Sequence, residues 1–64
     1  MDYHIIRFVD GRYDATEVRK GHQLAVVRSY ARQLVESGSA DRVEVRNSAN
    51  NDLVFQYPRV LDRA

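Results

Sequence analysis

Four arginines, Arg7, Arg12, Arg42 and Arg46, fall in segments where charged residues alternate with apolar ones, YHIIRFV-DGR near the start and RVEVR further on. Cationic side chains beside an aromatic platform such as Tyr3 are the means by which single-stranded nucleic acid is held, through phosphate contact and base stacking. Asp14 and Glu44 belong to the same segments and would neutralise much of that field, and alternating Arg and Glu on paired strands is an ordinary source of cross-strand ion pairs. Nucleic-acid binding by these four arginines is therefore the alternative reading and not the first.

The other reactive side chains are sparse. His4 and His22 are the only imidazoles and there is no cysteine. A hydrolytic site would need one histidine beside Ser29, Ser37, Ser39 or Ser48 with a carboxylate to orient it, and no signature places such a trio. Asp2, His4 and Asp10 lack the spacing of a metal site. The loop NSANND has neither the acidic pattern nor the closing Glu of a calcium loop, and no Gly to cradle a phosphate. The expectation is a non-catalytic protein with no cofactor, no metal site and no catalytic residue.

Side chains of this kind have to be carried by a chain of 64 residues with a net charge of +1. That length makes one small domain with one small core, and without cysteine no disulfide can staple it. A charge so near zero creates no field that draws the chain to nucleic acid or lipid. Nine of the ten cations are Arg, a skew that a GC-rich genome produces without any ligand. No apolar run approaches the ~20 residues of a membrane span, and the N-terminus lacks the basic-then-apolar order of a secretory signal. A soluble, cytoplasmic protein that stays off the membrane is expected.

The elements follow from local pattern. GHQLAVVRSYARQLVESG, residues 21–38, is the one stretch with helical apolar spacing: Leu24, Ala31 and Val35 form a stripe that Val27, Leu34, Tyr30 and Val26 widen on one side. The apolar arc spans about half the circumference, more than the roughly 100° a single core contact requires. Gly38 has the place and type of a left-handed C-terminal cap. Tyr3–Val9 reads as a strand that enters a hairpin at Asp10-Gly11, the pair best able to supply positive φ twice. Residues 12–17 read as its weaker return strand; a rival reading starts the helix at Thr16 and leaves βαββ. Residues 42–47 alternate strictly, NSANND makes a loop, and residues 53–57 form the last strand before Pro58.

The fold class is thus α+β, ββαββ, one helix on a four-stranded sheet of two hairpins in a single domain, with 59–64 as a flexible tail. The expected core is Ile6, Phe8, Tyr13, Ala15, Leu24, Val27, Ala31, Leu34, Val35, Val43, Val45, Leu53, Phe55 and Tyr57, with His4 or its neighbours. The opposite sheet face is expected to show Tyr3, Ile5, Arg7, Arg12, Asp14, Thr16, Arg42, Glu44, Arg46, Val54 and Gln56. Apolar residues left outside the core then include Val26, Tyr30, Ile5 and Val54, with Val60 and Leu61 in the tail. Several at once in so small a chain mark an interface. The reading is a self-associating protein-binding module, a homodimer that also contacts another protein, through Val26, Tyr30, Ile5, Val54 and Tyr3. Tyr30 beside Arg28 and Tyr3 beside Arg7 have the residue types of interface anchors.

Overall fold

The computed structural model describes residues 1–58, so the tail expected over 59–64, with Val60 and Leu61 in it, lies outside the described residues. The element order is β1 (Tyr3–Val9), β2 (Arg12–Arg19), α1 (Leu24–Glu36), β3 (Arg42–Asn47) and β4 (Leu53–Tyr57). All strand pairs are antiparallel and the sheet order is β2-β1-β3-β4. The ββαββ arrangement stands. The helix that would begin at Thr16 does not form: β2 runs on to Arg19, and Gly21 then turns the chain at φ +69°.

Local chemistry explains the joints. Asp10 and Gly11 sit at φ +53° and +74°, the two positive values that a tight hairpin turn needs. At the other end of the helix the amide of Gly38 (φ +83°) donates to Val35 O at 3.1 Å and that of Ser39 to Leu34 O at 2.9 Å. These two bonds make a Schellman cap, in which a residue without Cβ satisfies the last carbonyls. The helix start has no side-chain cap at Gln23 and no acidic residue in the first turn, so α1 is held mainly by packing.

Val27, Ala31 and Leu34 bury their side chains against Tyr3 and Ile5 of β1, Val43 and Val45 of β3, and Ala40. Leu24, Tyr30, Val35 and Phe55 complete this core from its edges. The helix lies over β3, β4 and β1. It reaches β2 through Tyr30, whose hydroxyl meets both Glu17 carboxylate oxygens at 2.8 and 2.9 Å.

The phase of β1 is opposite to the expected one. Ile5 stands across from Val45 and Arg7 across from Val43, and directly paired residues share a face. Tyr3 (4% exposed) and Ile5 (0%) are therefore in the core, while Ile6 and Phe8 point to the uncovered side. A bulge inserts Asp14 between Ala15, paired with Arg7, and Tyr13, paired with Phe8. Such an insertion flips the alternation, so Ala15 stays beneath the helix side and Tyr13 becomes 62% exposed on the other. A second bulge, at Val54, carries Leu53 out of the expected core to an exposed place beside Arg46.

Candidate interaction face

The face of the sheet away from α1 is covered by no other element among the described residues. Its residues form rows across the strands. Thr16, Ile6, Glu44 and Gln56 are in register in the middle; Tyr13, Phe8 and Arg42 make the row on one side, and Val18, His4, Arg46 and Leu53 the row on the other. The face is consequently divided lengthwise. On β2 and β1 it shows the apolar Tyr13, Phe8, Ile6 and Val18 together with Thr16 and His4, and on β3 it shows Arg42, Glu44 and Arg46.

The charged half is internally satisfied. Arg42 Nη1 donates to Glu44 Oε2 at 2.7 Å, and Arg46 donates to Glu44 Oε1 through Nη2 at 3.2 Å and Nε at 3.3 Å. Arg46 Nη1 also donates to the Asn51 carbonyl at 2.9 Å, which fastens the β3–β4 loop. The Arg42 guanidinium lies 4.1 Å from the centre of the Phe8 ring, and Phe8 meets Tyr13 edge to face at 6.5 Å. The Tyr13 hydroxyl and Thr16 Oγ1 are 2.9 Å apart. Cation over ring, ring against ring and hydroxyl against hydroxyl fix these side chains before any partner arrives.

The residues singled out from sequence do not gather into one patch. Tyr3 and Ile5 are core residues and expose no contact surface. Tyr30 is half-buried and tied to β2 by Glu17, with the Arg19 guanidinium 4.7 Å from its ring centre. Burial, then the hydrogen bond and charge of Glu17, push its phenol above the ordinary value near 10. Val26 is on the solvent side of α1 and Val54 occupies the β4 bulge, both exposed. The four arginines do not converge either. Arg42 and Arg46 are on the open face, but Arg7 lies on the helix side of the sheet, 3.7 Å from Glu17 and 3.9 Å from Asp14. Arg12 is exposed at the hairpin end, opposite Val9.

On α1, Arg28 and Arg32 reach over β4 to the rings of Phe55 and Tyr57 at 5.9 and 5.6 Å. His4 is half-buried on the open face between Val18 and Arg46, and His22 Nδ1 is 3.0 Å from the Lys20 carbonyl. Among the described residues neither imidazole contacts a serine or carboxylate by hydrogen bond, and no three His, Cys, Asp or Glu side chains cluster as metal ligands. No helix among them is long and apolar enough to cross a membrane. An open groove of about 400 Å³ beside α1 is lined by Tyr30, Gln33, Leu34, Glu36 and Ser37, and its carboxylate, Glu36, already accepts the Tyr57 hydroxyl at 3.2 Å.

No protein-family model matches the chain, and neither the curated proteins nor the solved structures yield a match. What the chain does has to follow from the chemistry of its surfaces. Sequence reasoning missed Phe8, Ile6, Tyr13 and Val18 as surface residues. The signal was present in YHIIRFV, which carries apolar residues at both odd and even positions, so whichever set packs under the helix, the other is displayed.

Proposed function

We propose that this chain is a non-catalytic protein-binding module that works as a homodimer and offers the apolar half of its open sheet face to another protein. The observation that carries this reading is the juxtaposition of Tyr13, Phe8, Ile6 and Val18 on two adjacent strands, with no helix or strand packed over them among the described residues and the Arg42 guanidinium against Phe8. The free face of an antiparallel sheet is ordinarily polar, and a contiguous apolar patch on a small soluble domain marks a contact surface. The patch is bordered by Arg42, and aromatic residues with Arg are the types that anchor interfaces. Because Arg42 and Arg46 both donate to Glu44, a partner that covers their edge meets guanidiniums whose hydrogen bonds are partly satisfied and which retain one uncompensated positive charge between them.

The test is site-specific photo-crosslinking in cell extract, with the photoreactive residue at position 6 on the open face or at position 29 on the exposed side of the helix. A discrete adduct with another protein from position 6, absent from position 29 and lost on Tyr13→Glu, is expected. Equal labelling from both positions, or none from position 6, overturns the reading.

One feature favours nucleic acid as a second reading: Arg42 over Phe8, next to Tyr13, is a cation–aromatic platform of the kind that stacks bases. Glu44 opposes it by offsetting one of the two positive charges, Arg42 and Arg46, on which phosphate contact would depend. Single-stranded oligonucleotide should therefore bind negligibly to the wild type and gain affinity, steeply salt-dependent, on Glu44→Ala. Tight wild-type binding that Arg42→Ala and Arg46→Ala abolish would reverse the order of the two readings.

A further inference from the structure

The sheet has two edges and they are not alike. β4 is five residues long, is bent by the bulge at Val54 and ends at Pro58. Short, bulged, proline-ended strands make poor templates for another chain. β2 is the longest strand, eight residues. Its bulge at Asp14 disrupts one end, but from Ala15 to Arg19 it stays in unbroken register with Arg7 to Tyr3 of β1. Along that stretch its outer edge presents unpaired backbone groups with no proline and, among the described residues, no covering element.

We propose that a second copy of this chain pairs with the β2 edge, antiparallel and two-fold symmetric, with the axis passing at Val18. The inference rests on the self-association reading above and specifies its surface. In a two-fold antiparallel pair one residue faces itself and its neighbours face each other in reverse order. An axis at Glu17 sets carboxylate against carboxylate. Axes at Ala15 or Thr16 draw the bulged Asp14 into the ladder. An axis at Val18 leaves the bulge outside and sets Glu17 opposite Arg19 of the other copy, twice, with Thr16 opposite Lys20. Like charges directly opposite each other destabilise a sheet and unlike ones support it.

The side chains concerned are accessible. Val18 is 49% exposed, and Glu17 and Arg19, already paired within one chain at 2.8 Å, each keep part of their surface in solvent. Pairing of the copies turns two separate ion pairs into an alternating square of two carboxylates and two guanidiniums. It also extends the sheet to eight strands with both helices on one side. On the other side the two halves bearing Tyr13, Phe8, Ile6 and Val18 become neighbours across the axis, while both Arg42–Glu44–Arg46 groups move to the flanks. The dimer thereby doubles the apolar strip that the proposed partner would contact.

The experiment uses the full chain, whose lack of cysteine makes Val18→Cys the bearer of its only thiol. A residue that faces itself in an antiparallel pair has its Cα about 4.5–5.5 Å from its counterpart, within disulfide reach. With glutathione disulfide as oxidant, Val18→Cys should form a covalent dimer rapidly, whereas Val26→Cys, equally exposed on the helix, should not. Val18→Lys, which sets two ammonium groups on the axis, should halve the mass measured by light scattering while leaving the circular dichroism unchanged. A wild-type mass of one chain at every concentration overturns both this pairing and self-association. A wild-type dimer indifferent to Val18→Lys, with Val18→Cys cross-linking no faster than Val26→Cys, overturns the edge pairing and leaves self-association standing.

Discussion

Ile5 and Ile6 are adjacent in the chain and identical in composition, yet the structure gives them opposite roles, and this difference is measurable. Ile5 is wholly buried, opposite Val45 and beneath the helix; Ile6 is half-buried on the uncovered face. Truncation of a buried Ile to Val removes one methylene and costs about 1 kcal/mol, and truncation to Ala costs about 2–5 kcal/mol once the cavity is included. A domain of this size without disulfide or metal has only ~3–5 kcal/mol in total. Ile5→Ala should therefore leave a large fraction of molecules unfolded in buffer, and Ile5→Val is the quantitative probe. With a urea dependence of about 1 kcal/mol per molar for so small a chain, Ile5→Val should lower the unfolding midpoint by about 1 M. Ile6→Val removes a methylene that solvent already reaches, and its midpoint should fall by about half as much or less. The assay is urea titration of the helical circular dichroism band at fixed protein concentration. Equal midpoint losses, or a greater loss for Ile6→Val, would refute the assignment of faces and the interaction surface built upon it.

Two further perturbations probe the joints. Gly38→Ala should destabilise by about 1–2 kcal/mol, the cost of a left-handed conformation for a residue with Cβ. Since nothing lies within 4 Å of the added carbon, this cost is conformational, and Gly38→Asn should recover part of it in the same titration. Tyr30 gives a pH signature. Its phenol is raised in the folded chain, so between the unfolded value near 10 and the higher folded one the unfolded chain releases a proton that the folded chain keeps. The stabilisation is complete below about pH 10 and declines as pH rises through the folded value. Tyr30→Phe should make the stability curve flatter in that alkaline window, and a curve of unchanged slope would count against the Glu17 contact.

Much of this architecture was legible because its causes are local. Asp10-Gly11 announces a turn, Gly38 a cap, and Val43 and Val45 a strand with one wet side, and each stands where those residue types require. The face of β1 was not legible. YHIIRFV has apolar residues in both phases, and the charge on Arg7 points to the wrong phase unless it is known that Glu17 and Asp14 will stand beside it. Nor does alternation along β2 reveal that Asp14 is an insertion, which is why Tyr13 and Ala15 read as companions although they lie on opposite faces. The same phase error carried Ile6 and Phe8 into the expected core and hid the apolar half of the open face. Strand order was beyond the pattern altogether, since it depends on which hairpin strand the helix brings its counterpart against.

That order has a consequence for how the chain folds. Each hairpin contributes one inner and one outer strand, so β1–β2 and β3–β4 are pairings between neighbours in sequence, of the kind that form in about 1–10 μs. Among the described residues, the seam between β1 and β3, where Tyr3 meets Asn47, is the one strand pairing that joins distant parts of the chain. Its loop must close before Ile5, Val43 and Val45 can share a core with α1. The rate-limiting ensemble is expected to centre on this seam. Truncations of its valines should act chiefly on the folding rate, whereas changes on the outer strands β2 and β4 act chiefly on unfolding.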